Sequence, residues 1–168
     1  MAKHLKQAVS GMILCSEKKK VLLIKRRDIP VWVLPGGGIE EQETPEEAVI
    51  REVYEETGLS VQITRKIAEY SPVNKLTQLT HLFECSVIQG NIQTGRETKE
   101  IGFFLFSKLP LLPPPYLNWI QDALSYREFV IRKKIEGVSY LALCKCLCLH
   151  PVLVTRYLLT KIGIHINT

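Results

Sequence analysis

Glu52, Glu55 and Glu56 stand at i, i+3 and i+4, a spacing that puts three carboxylates on one face of a helix. Like charges so arranged repel by about a few tenths of a kcal/mol per pair. A hard divalent cation removes that cost, because carboxylate oxygens are its preferred ligands. Just upstream, Pro35-Gly36-Gly37-Gly38 is a stretch of backbone free to take positive φ and to approach a ligand closely. An acidic helix face entered from a glycine loop points to chemistry on phosphates.

From Gly37, five residues lead to Glu43 and seven more lead to Arg51-Glu52-Val53-Tyr54-Glu55-Glu56-Thr57-Gly58-Leu59. Every specified position of G-x5-E-x7-R-E-U-x-E-E-x-G-U, with U aliphatic, is met in register. The chain therefore resembles the Nudix hydrolases, sharply over the box at 37–59 and less sharply over roughly residues 8 to 110. One departure is Gln42, where many members carry a second glycine; a small change in loop geometry is expected there.

The resemblance implies an α/β fold, a Nudix-type α/β/α sandwich with a mixed β-sheet. It implies metal-dependent hydrolysis of the pyrophosphate linkage in a nucleoside diphosphate joined to another group. Nucleotide sugars, ADP-ribose, dinucleoside polyphosphates and nucleoside triphosphates all remain open as substrates. The implied cofactor is Mg²⁺ or Mn²⁺, with Glu52, Glu55 and Glu56 as matching ligand positions and the Gly36 carbonyl beside them. Arg51 and Glu43 would orient those ligands through a charge-assisted pair. The general base is a box glutamate, Glu55, or a glutamate in the loop before the last strand, Glu97 or Glu100. Gly37 and Gly38, with Arg26 or Arg27 just after the second strand, are the candidates for phosphate contact. The competing reading is a Nudix-fold module that binds a nucleotide without cleaving it. Such modules often have degraded boxes, and this box is intact.

The elements that must position these groups are also readable. Thr44-Pro45-Glu46-Glu47 is a capping box with proline at the first helical position, and Gly58 suits a left-handed helix end. Between them Val49, Ile50, Val53 and Tyr54 are expected to pack inward while Glu52, Glu55 and Glu56 face out. Ala8 to Ser16 and Val21 to Lys25 read as strands around the polar turn Glu17-Lys18-Lys19-Lys20. Val31 to Leu34, Val61 to Tyr70, Gln78 to Ile88 and Ile101 to Phe106 read as further strands, and Tyr116 to Tyr126 as a helix. The proline-rich Leu109 to Pro115 marks an expected boundary, dividing a Nudix domain at 5–113 from an extension at 114–168.

That extension is apolar and basic. Residues 1–113 hold 15 Lys/Arg and 14 Asp/Glu, whereas residues 114–168 hold 7 and 3, so +4 of the net +5 lies in the last third. Val138 to Leu149 is apolar on nearly every helical face and, at twelve residues, too short to span a bilayer. Packing against the sandwich or a homodimer interface is expected before contact with a membrane surface. Cys144, Cys146, Cys148 and His150 are spaced poorly for zinc and suit buried small hydrophobes better. Five cysteines without a framework spacing, and no apolar run after Met1, fit a cytoplasmic protein. No basic stripe interleaved with aromatics suggests a nucleic acid partner; a nucleotide substrate is the expected one.

Overall fold

The computed structural model describes residues 6–161 apart from residues 16, 18, 126, 127 and 150. In chain order its elements are β1 (Gln7–Ile13), β2 (Lys20–Arg26), β3 (Trp32–Val33), α1 (Pro45–Thr57), β4 (Leu59–Ser71), β5 (Leu79–Gly90) and β6 (Thr98–Leu105). A single turn of 3-10 helix (Phe106–Lys108), α2 (Tyr116–Leu124), β7 (Ile131–Lys134), α3 (Tyr140–Leu149) and α4 (Pro151–Lys161) follow.

Alternation along the strands builds two apolar layers. Ile13, Leu22, Ile24 and Phe83 point to one side, where Ala48, Val49 and Val53 of α1 cover them. Their neighbours Met12, Val21, Leu23 and Leu82 point to the other side, against Trp119, Ile120 and Ala123 of α2. A period of two with apolar residues at both phases is the pattern of strands buried on both faces. The architecture is the expected α/β/α sandwich. Its β layer comprises a mixed four-stranded sheet, ordered β1-β5-β4-β7, and an antiparallel three-stranded sheet, ordered β3-β2-β6. In the mixed sheet β1 runs parallel to β5, β5 antiparallel to β4, and β4 parallel to β7.

The glycine loop is bound to this frame. Val9 N–H donates to Gly37 O at 2.9 Å and Gly11 N–H to Pro35 O at 2.8 Å, so the loop runs as an irregular neighbour of β1.

Three expectations change. Val49 and Val53 are buried, but Ile50 and Tyr54 are exposed, and Glu56 takes the inward position. That is a rotation of the buried stripe toward the glycine loop. The packed layers also continue past residue 113: α2 covers one face and β7 extends the mixed sheet. The proline run therefore lies within the packed body rather than at its edge. Finally, among the described residues, α3 and α4 pack chiefly against each other.

Candidate active site

Helix α1 is pinned at both ends, which sets where its carboxylates point. The Thr44 hydroxyl accepts from Glu47 N–H at 3.2 Å, and the Glu47 carboxylate accepts from Thr44 N–H at 2.9 Å. Glu46 and Glu47 in the first turn complement the helix dipole. At the other end Gly58, at φ 72°, donates its N–H to Tyr54 O at 2.8 Å and closes the helix.

Within that frame Glu56 is only 6% exposed, and its Oε2 accepts from Gly36 N–H at 2.8 Å. Burial pushes its carboxyl up to about 8; Glu52 and Glu97 add to the rise, while the Gly36 N–H and Arg26 oppose it. Glu52 lies against Gly37, where a Cβ would overlap the carboxylate and displace it from this position. Burial raises the Glu52 carboxyl as well, with Arg51 opposing. Glu55, one step round the helix, is largely exposed.

Arg51 joins loop to helix. It donates to both oxygens of Glu43, from Nε at 2.8 Å and Nη2 at 2.9 Å. Nη2 also donates to Gly38 O at 3.0 Å, and Nη1 to Glu52 Oε1 at 3.0 Å and to Glu55 Oε2 at 3.4 Å. The Glu43 pair and the Glu52 contact hold the guanidinium firmly charged, and the same pair depresses the Glu43 carboxyl. Glu43 is further fixed by Glu40 N–H at 3.0 Å. Between them Gln42 sits at φ 68°, a left-handed conformation that costs a non-glycine residue about 1 kcal/mol. Glycine adopts this conformation without that cost.

The remaining candidates divide. Glu97 is near enough for its charge to raise the Glu52 and Glu56 carboxyls. Glu100 is not, because β6 places it opposite Lys25, whose Nζ it binds at 2.8 Å. Arg26 is held by Asp28 through two bonds, at 2.9 and 2.7 Å, and its charge reaches Glu56. Arg27 brackets Glu97: its N–H donates to Glu97 O at 2.8 Å, while its guanidinium donates to Arg96 O at 3.1 Å and Thr98 O at 2.9 Å. Neither arginine presents the free guanidinium expected of a phosphate contact. Asp28 and the clamping role of Arg27 escaped the sequence reading; no spacing rule signals an arginine that binds carbonyls some seventy residues away. An open cleft along Glu40, Glu41, Glu47, Ile50 and Tyr54 takes in Gln42, Glu43 and Arg51 and lies outside the Glu52–Glu56 pair.

Among the described residues, no three His, Cys, Asp or Glu side chains converge closely enough to hold a metal ion by themselves. The side chains of Cys146, Cys148 and His150 lie outside the described residues. The donor set at Glu52 and Glu56 nevertheless fits a hard divalent cation. Two carboxylates sit where burial disfavours their charge, at a glycine cradle too tight for a Cβ. Mg²⁺ is commonly held by one or two carboxylates, with water and substrate phosphates completing the shell.

The NUDIX domain profile matches residues 5–126. A relative from Bacillus subtilis (strain 168), bearing a provisional 8-oxo-dGTP diphosphatase name, is 37% identical over 105 residues, 62% of this chain and 70% of its own. An ADP-ribose pyrophosphatase from Methanocaldococcus jannaschii is 35% identical over 131 residues, 74% of this chain and 76% of its own. Among solved structures, a UDP-X diphosphatase shares the fold at a TM-score of 0.68 and 23% identity, covering 78% of this chain and 68% of that one.

Proposed function

The chain belongs to the Nudix hydrolase family, and from that premise we propose that it hydrolyses the pyrophosphate linkage of a nucleoside diphosphate joined to a second group, using Mg²⁺ or Mn²⁺ held at Glu52 and Glu56. The observation that carries the reading is the burial of these two carboxylates against the Gly36–Gly37 backbone, with Arg51 locked to Glu43 behind them. When bound, the cation neutralises phosphate charge and lowers the pKa of a coordinated water.

The chain's own groups do the rest. Gly36 N–H and the Arg51 bridge fix Glu56 and Glu52, so the ligand oxygens need not reorganise as substrate enters. Glu55, exposed and beside Arg51, is left as an outer ligand. Glu97 is favoured as general base over Glu100, because its charge reaches the carboxylate pair while Glu100 is engaged by Lys25. Water oxygen bonds to phosphorus as the bridging P–O bond breaks; Glu97 takes the water's proton and the leaving phosphate takes the electron pair.

The relatives' names differ in substrate, so the test is a panel. The full chain is offered a nucleotide sugar, ADP-ribose, a dinucleoside polyphosphate and an oxidised nucleoside triphosphate, each with Mg²⁺, with Mn²⁺ and with chelator. Metal-dependent turnover of at least one is expected. Turnover equal in chelator, or nucleotide binding without any turnover, would overturn the reading.

A further inference from the structure

Residues 91–97, NIQTGRE, carry the chain from β5 to β6 as an irregular loop that is exposed throughout except at Gly95. A Cβ built at Gly95 would overlap the Glu55 carbonyl oxygen and stand 3.3 Å from Glu56 Cα. The loop therefore comes down onto the peptide unit that joins two of the clustered glutamates. Gly95 is not among the glycines with positive φ, so what this position demands is space rather than backbone freedom. Two further contacts lay the loop along the last turn of α1. Gln93 N–H donates to Thr57 O at 2.9 Å, satisfying a carbonyl at the open end of the helix. Asn91 O lies against Gly58, where a Cβ would stand 2.8 Å from it. Beyond Gly95, Arg27 binds the carbonyls of Arg96, Glu97 and Thr98. Glu97 is thus tied to α1 on one side and to the end of β2 on the other.

We propose that Gly95 is a positioning residue: its missing side chain sets how closely the loop lies on the Glu55–Glu56 peptide, and so how far Glu97 stands from the Glu52–Glu56 pair. The proposal rests on the reading of Glu97 as general base. A base must come within hydrogen-bond reach of the water it deprotonates, and a misplacement of about 1 Å costs up to about a hundredfold in rate. A methyl group at position 95 meets helix backbone, which no rotamer change can move aside. The loop is exposed on either side of Gly95, so it lifts while the helix stays. Arg27 alone does not prevent this, because it fixes residues 96–98 to β2 and not to α1. Only the contact at Gly95 registers the base directly against the backbone that carries the ligands.

The test compares the native chain, Gly95→Ala, Glu97→Gln, the two combined, and Thr94→Ala. Each is assayed with Mg²⁺ on the panel nucleotide that the native chain turns over fastest, and Gly95→Ala is also crystallised without metal or nucleotide. In Gly95→Ala kcat should fall about tenfold to a hundredfold with KM within about twofold. In the Glu97→Gln background the same substitution should cost nothing further, since the group it misplaces is already gone. Thr94→Ala, exposed and one residue away, should keep native turnover. The crystal structure should show Glu97 displaced from the Glu52–Glu56 pair, with α1 and the sheets unmoved. Gln93→Pro, which removes the N–H that ties the loop to Thr57, should reproduce the loss in kcat with Gly95 intact. Native turnover in Glu97→Gln would overturn the base assignment and the proposal with it. Native turnover in Gly95→Ala beside an impaired Glu97→Gln would overturn the role of Gly95 alone. So would equal losses from Gly95→Ala in both backgrounds, or an unmoved Glu97 in the crystal.

Discussion

At the scale of the residue, Glu56 is a carboxylate whose environment departs far from water. In the unfolded chain its carboxyl ionises near 4.5, and in the fold at about 8. Folding therefore takes up a proton between those values. The contribution to stability is full below about 4.5 and is lost as pH rises through 8. In chelator, Glu56→Gln should then match the native chain's melting temperature at acidic pH and exceed it increasingly toward pH 8. A parallel pair of melting curves across that range would show that burial of this charge is not costly. The carboxylate spacing was legible in the sequence because three glutamates on one helical face need only a periodicity. Which of them is buried was not legible. That depends on the Gly36 N–H and on the close approach of the loop, which are tertiary contacts.

At the scale of the element, α1 was readable to its ends because proline, capping box and terminal glycine are local signals. Its inward stripe was not, since Ile50 and Tyr54 are as apolar as Val49 and Val53 and only the position of the sheet separates them. β7 was invisible for a related reason. Its sequence, IRKK, carries little strand signal and gains its place by pairing with β4. The turn before β6 is the element on which Glu97 depends, and Arg27 holds it by three bonds. Arg27→Ala should lower kcat about tenfold or more while leaving KM within about twofold, because a misplaced base affects the transition state and not binding. Arg27→Lys, which keeps the charge but not the fork, should recover little. A rise in KM with kcat unchanged would instead make Arg27 a substrate contact.

At the scale of the molecule, the sandwich supplies a fixed floor. β1 anchors the glycine loop on one side, α1 presents its carboxylates beside it, and the charge of Glu97, from the turn before β6, reaches Glu56. The helical pair beyond β7 takes no part in that floor among the described residues, which is why the chain's basic excess and its chemistry are separable. The most direct measurement is nucleotide turnover as a function of Mg²⁺ and Mn²⁺ concentration for the native chain, Glu52→Gln and Glu56→Gln. Each substitution keeps the side chain's shape and removes one charged ligand. Turnover at saturating metal should fall about a hundredfold or more in both variants, since charge stabilisation at the transferred phosphoryl group is worth several kcal/mol. Half-saturation should also move to higher metal concentration. Native-like turnover and metal dependence in either variant would show that its carboxylate does not hold the cation, and would contradict the assignment of the site.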